Sequence, residues 1–151
     1  MRITIGSDHG ATELKETVKQ VLAEFPDIKV TDVGTWGSEP ADYPDIAVKV
    51  CREVTAGNAD RGIVLCGTGI GISIAANKIK GIRCALVNDV YGAKMSREHN
   101  DANVLAMGGR TMGSGPAGEI IRAWVQTPFS EGERHKRRIA KMMALEENQP
   151  R

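Results

Sequence analysis

The chain has 151 residues, the length of a single domain that buries a core without disulfide or metal staples. Its 20 Lys and Arg nearly balance 19 Asp and Glu, leaving a net charge of +1 and no electrostatic attraction for a nucleic acid or a membrane surface. No apolar run approaches membrane-spanning length, and the three cysteines, an odd number without CxxC spacing, read as the reduced thiols of a cytoplasmic protein.

Short apolar runs alternate with segments of helical spacing. Residues 2–6 read as a first strand rather than as the long apolar stretch of a signal peptide. Glu13, Leu14, Val18, Val21 and Leu22 then recur at helical intervals. Residues 28–33 read as a second strand and 43–54 as a helix, with Pro44 near its start, where proline is tolerated. A strand at 61–66, a helix at 72–78, a strand at 82–87, a helix at 90–98, a strand at 104–107 and a helix at 115–126 follow. A charged helical extension covers about 131–147. This alternation predicts one domain over 1–151, a three-layer α/β/α sandwich of Rossmann-like type around a five-stranded parallel sheet whose order begins 2-1-3. Ligands in such sheets bind beyond the carboxyl ends of the strands. Asp8 and His9, residues 66–71, Asp89, and Gly108, Gly109 and Arg110 fall at those ends.

Cys66 ends the apolar run Ile63-Val64-Leu65-Cys66 and opens into Gly67-Thr68-Gly69-Ile70-Gly71. Glycines let successive N–H groups converge on one small space. The helix start that follows adds unpaired donors and partial positive charge, which favour a thiolate and hold an oxyanion. The loop matches neither G-x-G-x-x-G, since Ile72 and Ile74 stand where glycine is needed, nor the P-loop pattern. By itself it could be a packing turn; next to Cys66 it reads as an anion site. Cys51 and Cys84 lie inside a helix pattern and a strand pattern and read as core thiols. Asp8 could cap the next helix, and His9 could bind a phosphate or belong to an ordinary turn. His99, in a polar stretch before the last strand, reads either as a solvated loop histidine or as an acid or base. Arg134 and Arg138, four apart in the run Arg134-His135-Lys136-Arg137-Arg138, share a helix face: a solvated face, or a phosphate clamp. His9, His99 and His135 are far apart and show no metal-ligand spacing, so metal-free chemistry is expected.

Together these segments resemble the type B ribose-5-phosphate isomerase family, which also includes galactose- and allose-6-phosphate isomerases. The resemblance is carried by Ser7-Asp8-His9-Gly10, by Asp42-Tyr43-Pro44-Asp45, by the whole of 66–78, by Gly81-Ile82-Arg83, by Ser96-Arg97-Glu98-His99-Asn100-Asp101-Ala102-Asn103, and by 132–135. It implies interconversion of D-ribose 5-phosphate and D-ribulose 5-phosphate through an enediolate, in the pentose phosphate pathway and without a cofactor. Allose 6-phosphate or galactose 6-phosphate is the alternative substrate, and a non-catalytic sugar-phosphate sensor the alternative class. Cys66 would move the proton between C2 and C1, Thr68 would relay the hydroxyl proton, and His99 would open the sugar ring. Gly67, Gly69, Ile70 and Gly71, with Asn100, would hold the enediolate oxygens. Asp8, His9, Arg110, Arg134 and Arg138 would bind hydroxyls or phosphate, and Tyr43 would line the pocket. The resemblance also implies a homodimer with shared sites, or a tetramer built from it, with the C-terminal extension reaching over the neighbour. Three positions depart from the family pattern: Ala11 and Thr12 stand where glycine and an aromatic are common, and Glu133 replaces a second glycine.

Overall fold

Alternation along the strands builds two cores, one on each face of a sheet. In the computed structural model, which describes residues 1–147, Ile63 and Leu65 of strand β3 (Arg61–Cys66) face one cluster, and Val64 and Cys66 face the other. Strand β1 (Arg2–Ser7) adds Ile3 and Ile5 to the first cluster, and β5 (Val104–Gly108) adds Leu105 and Met107. Helices α1 (Thr12–Leu22), α4 (Val90–Glu98) and α5 (Ser114–Gln126) cover that face with Val18, Leu22, Ala93, Ile120 and Trp124. Helices α2 (Tyr43–Thr55) and α3 (Ile70–Ala76) cover the other with Ile46, Val50, Cys51, Ile72 and Ala76. Each fully buried Ile, Leu or Val stabilises the fold by about 1.5–3 kcal/mol. Helix α2 lies close on the sheet because Gly6 and Gly62 lack side chains. A Cβ on Gly62 would come within 2.7 Å of Val50 Cγ1.

Edge strands β2 (Lys29–Asp32) and β4 (Cys84–Leu86) complete five parallel strands in the order β2-β1-β3-β5-β4. The expected 2-1-3 beginning is present; beyond it, β5 inserts between β3 and β4. Several boundaries differ from the pattern reading for local reasons. β4 starts two residues later than 82, because Ile82 N–H closes a turn on Ile79 and Arg83 N–H is taken by the Asn103 side chain at 2.8 Å. α3 starts two residues earlier than 72, from Gly69 in the left-handed region at φ 75°. It stops at Asn77, whose amide donates to the Ser73 and Cys84 carbonyls and accepts the Cys84 N–H. β2 is shorter than 28–33 because Ile28 N–H turns back on Phe25. The extension forms helix α6 (Glu133–Ala144), an amphipathic helix with no buried residue. Among the described residues no helix is long and apolar enough to cross a membrane.

Candidate active site

The final residue of β3 is Cys66, registered opposite Gly108 of β5. Its thiol is buried and accepts the Gly69 N–H at 3.2 Å. The loop that turns back to make this bond is seated by glycines where any other residue would collide. A Cβ on Gly69 would lie 2.6 Å from Leu86 Cδ1 and 2.8 Å from the Met107 carbonyl carbon; one on Gly108 would lie 2.5 Å from the Thr68 carbonyl carbon. Thr68 is exposed, and its Oγ1 accepts the Ile70 N–H at 3.3 Å. The Gly71 and Ile72 N–H groups, in the first turn of α3, have no carbonyl within the helix to bond. Burial pushes the Cys51 thiol up to about 12, as its reading as a core thiol requires, and raises that of Cys84, which is half-buried on edge strand β4 and packs against the same core.

Four further residues meet this loop. Asp8, buried, accepts the Gly10 N–H at 2.8 Å and so caps the single 3-10 turn His9–Ala11, not α1 itself. A Cβ on Gly10 would stand 3.2 Å from the Gly67 nitrogen, which places the two turns in contact. His9 Nδ1 accepts the Ala41 N–H at 3.2 Å. With Nδ1 accepting, Nε2 is the ring nitrogen left to donate. Arg110 N–H donates to the Gly67 carbonyl at 2.9 Å, and its Nη1 lies 3.2 Å from the point a Gly67 Cβ would occupy. The Tyr43 ring packs on Gly71, where a Cβ would come within 2.7 Å of Cζ. His9, Gly10, Gly109 and Arg110 line a cavity of about 310 Å³ whose far wall includes Ala11 and Thr12. Two of the departures from the family pattern thus fall on the pocket wall. Ala11 is buried against the sheet end, close to Gly109.

An ion pair buttresses this edge. Lys15, 1% exposed, bonds Asp32 at 2.8 Å and the Thr35 carbonyl at 2.6 Å. Ser7 in turn exchanges backbone bonds with Gly34 and Thr35, each 2.7 Å, just before Asp8. Burial alone would raise Asp32, but Lys15, the Gly34 N–H and Lys19 outweigh it and hold the carboxyl below its usual range.

His99, Asn100, Arg134 and Arg138 lie elsewhere. His99 is the C-cap of α4, and the segment it opens leads into Val104, which pairs with Gly62 at the amino end of β3. From Gly62 to Cys66 is four strand residues, roughly 13 Å. One chain therefore places its His99 segment and its Cys66 at opposite edges of the sheet. Within that segment the labour is divided. Arg97 is buried, bonds the Ala102 carbonyl at 2.6 Å and pairs with Asp101 at 2.8 Å. Asn103 bridges the Gly81 carbonyl and the Arg83 N–H, both at 2.8 Å. These residues shape the turn; half-buried His99 and exposed Asn100 are what it displays.

Helix α6 packs beside that turn. Ser130 N–H bonds the Glu98 carbonyl at 3.2 Å, and the His135 ring stacks on the His99 ring with centroids 4.3 Å apart and planes within 7°. At its far end, Glu146 accepts the Gly81 N–H at 3.0 Å and Glu147 pairs with Lys80. Arg134 and Arg138 are exposed on this helix. Glu133 is exposed in its first turn, where a carboxylate suits the helix dipole, and lies 3.6 Å from Lys136. The sequence assigns His135 no role in the site; its partnership with His99 is visible only in three dimensions.

A buried thiol that accepts a backbone N–H of a glycine loop, with a histidine and an arginine lining the adjoining cavity, suits proton transfer on an anionic substrate, and comparison with known proteins agrees. Residues 3–142 match the family model for ribose/galactose isomerases. Ribose-5-phosphate isomerase B of Escherichia coli is 44% identical over 146 residues, covering 97% of each chain. The D-erythrulose-4-phosphate isomerase of Pectobacterium atrosepticum is 42% identical over 87% of each chain. The structure of Clostridium thermocellum ribose-5-phosphate isomerase B superposes with a TM-score of 0.93 at 49% identity, covering 97% of this chain and 98% of that one. With a match this long, at these identities and on the same fold, the chain belongs to the ribose/galactose isomerase family of enzymes.

Proposed function

We propose that this protein interconverts D-ribose 5-phosphate and D-ribulose 5-phosphate, with Cys66 as the base and without a metal. The observation that carries the reading is the Cys66 thiol held at 3.2 Å by the Gly69 N–H inside the glycine loop. His99 donates a proton to the furanose ring oxygen as the C1–O bond breaks, and the C1 hydroxyl passes its own proton to solvent water, leaving the open aldehyde. The Cys66 thiolate then takes the C2 proton. The negative charge moves onto O1, where backbone N–H groups of residues 67–71 and the Asn100 amide receive it. One such donor is worth roughly 3 kcal/mol to a developing oxyanion. Thr68 passes the O2 proton to O1, and Cys66 returns its proton to C1, giving the ketose. His9, Arg110, Arg134 and Arg138 hold the phosphate, whose binding energy orients C1 and C2.

The opposite placement of Cys66 and His99 supports a second copy of the chain as the supplier of His99, Asn100, Arg134 and Arg138. Exposed Ile70 and Ile74, one turn apart on α3, and Leu86 beside the loop supply apolar surface for that contact. A four-carbon substrate is the second reading, favoured by the likeness to the Pectobacterium enzyme. Purified protein, treated with EDTA, is tested on ribose 5-phosphate, D-erythrulose 4-phosphate, allose 6-phosphate and galactose 6-phosphate. Highest kcat/KM on ribose 5-phosphate is expected; highest on another sugar reassigns the substrate. Activity that EDTA abolishes ends the metal-free mechanism, and binding without turnover of any sugar makes the protein a sensor.

A further inference from the structure

We propose that His135 is the positioning residue that holds the His99 ring in the attitude ring opening requires. The inference deepens the function proposed above and rests on His99 being the ring-opening acid. An imidazole that delivers a proton to one oxygen must point in one direction. Such rings are ordinarily fixed by a hydrogen bond from the second nitrogen to a carbonyl or carboxylate. His99 has no such anchor: among the described residues neither ring nitrogen makes a hydrogen bond, and only its backbone is tied, through N–H to the Met95 carbonyl. What fixes the plane is the parallel stack on His135, at 4.3 Å and 7°. Rotation about the bond to the ring would drive one imidazole edge into the other. Both nitrogens of His99 stay free for substrate.

The surroundings of His135 suit a support rather than a second acid. Partial loss of water, then the charges of His99, Arg134 and Arg138, disfavour its imidazolium, against a smaller opposing effect of Glu98. It sits in the first turn of α6, whose dipole also opposes a cation there. A neutral ring can stack on the His99 ring in either protonation state without like-charge repulsion. Its own seat depends on Gly132, the N-cap of α6, where a Cβ would stand 3.2 Å from His135 Cδ2. The Ser130 N–H bond to Glu98 fixes the lead-in to α6 on the end of α4, so both rings are carried by backbone that is tied together.

The test compares His135→Ala with His135→Phe, which keeps a flat ring but cannot titrate or hydrogen-bond. His135→Ala is expected to slow turnover of ribose 5-phosphate about tenfold, the rate equivalent of a strong aromatic stack, and His135→Phe to restore most of it. KM and the affinity for inorganic phosphate should change less than about twofold in both, because no phosphate contact is removed. In NMR spectra, the His99 ring protons are expected at high field in the native protein and in the Phe variant, and at ordinary positions in the Ala variant. Three outcomes overturn the proposal: Phe as poor as Ala in turnover, His99 signals unmoved by Ala, or phosphate affinity lost in both variants, which would make His135 a phosphate ligand instead. His99→Asn serves as the control. If it leaves ring opening unchanged in presteady-state measurements, or if the native protein turns over no sugar phosphate, the assigned function has failed. In either case the NMR comparison still decides whether His135 holds the His99 ring.

Discussion

The carboxyl edge of the sheet and its amino edge are built in opposite ways. At the carboxyl edge, Cys66 is buried at the end of a central strand, and its loop is locked by glycines that touch backbone at less than 3 Å from where a side chain would begin. At the amino edge, His99, Asn100, Arg134 and Arg138 stand on helix ends and on α6, none of whose residues is buried. The contrast fits the two tasks that the proposed function assigns. A base and an oxyanion cradle work by preorganisation, so they sit where packing leaves no freedom. Phosphate binding tolerates long, exposed side chains such as Arg134 and Arg138, while the His99 ring is steadied by its stack on His135. On the proposed function the two edges are half-sites completed by a second copy, and the way to break that picture is to damage one edge at a time.

The largest effect is expected from Cys66→Ser. Serine fits the same space and can accept the Gly69 N–H, so folding should be unchanged, while turnover falls about a thousandfold for want of a base. The two-edge picture adds a sharper test. When Cys66→Ser and His99→Asn chains are unfolded together and refolded as dimers, half the dimers are mixed. If each site takes Cys66 from one chain and His99 from the other, every mixed dimer has one intact site, and activity returns to about a quarter of the native value. If each chain supplies both residues to its own site, every site in the mixture carries a lesion and nothing returns.

Next in size is the loss of the buttress under the carboxyl edge. Asp32→Asn leaves Lys15 charged and buried with the Thr35 carbonyl as its remaining strong partner. The expected cost is about 3 kcal/mol of stability, at the low end for a broken buried pair. The sign with pH follows from the lowered Asp32 carboxyl. A group whose folded value lies below its unfolded one contributes fully above the unfolded value and loses that contribution as pH falls through the folded value. The gap between native and variant should therefore be complete above about pH 5 and close in acid below about pH 3.9. Urea unfolding across that range measures it; a gap that persists unchanged in acid removes Asp32 from the account.

The carboxyl edge was the more legible of the two in the sequence, for a physical reason. Cys66 and its glycine loop are contiguous, and a strand that ends in a thiol and a glycine turn predicts its own geometry. The same local signal placed Asp8, His9 and Arg110 at strand ends. Strand order beyond β3 was not legible, because which of β4 and β5 lies beside β3 depends on how α3 and α4 pack, not on any pattern within a strand. Nor did the polar run before β5 disclose that Arg97, Asp101 and Asn103 are clamps while His99 and Asn100 are displayed, since the clamps close on carbonyls and amides that only the fold brings near. The seat of α6 depends likewise on distant partners, Gly81 and Arg83 at one end and His99 at the other.

The smallest expected effect probes that seat. Glu146 accepts the Gly81 N–H with both carboxylate oxygens, at 3.1 and 3.0 Å, and ties the end of α6 to the loop before β4. Glu146→Ala should cost about 1 kcal/mol, the size of a single part-exposed hydrogen bond, because α6 buries little else. Its consequence for function is more informative than its size. If α6 is the arm that carries Arg134 and Arg138 to the phosphate, loosening its far end should raise KM by about threefold and leave kcat nearly untouched, since Glu146 bonds the loop before β4 rather than the Cys66 loop. A fall in kcat at constant KM would mean that the two edges are coupled within a chain, and the independence of the buried Cys66 edge from the exposed α6 edge would have to be given up.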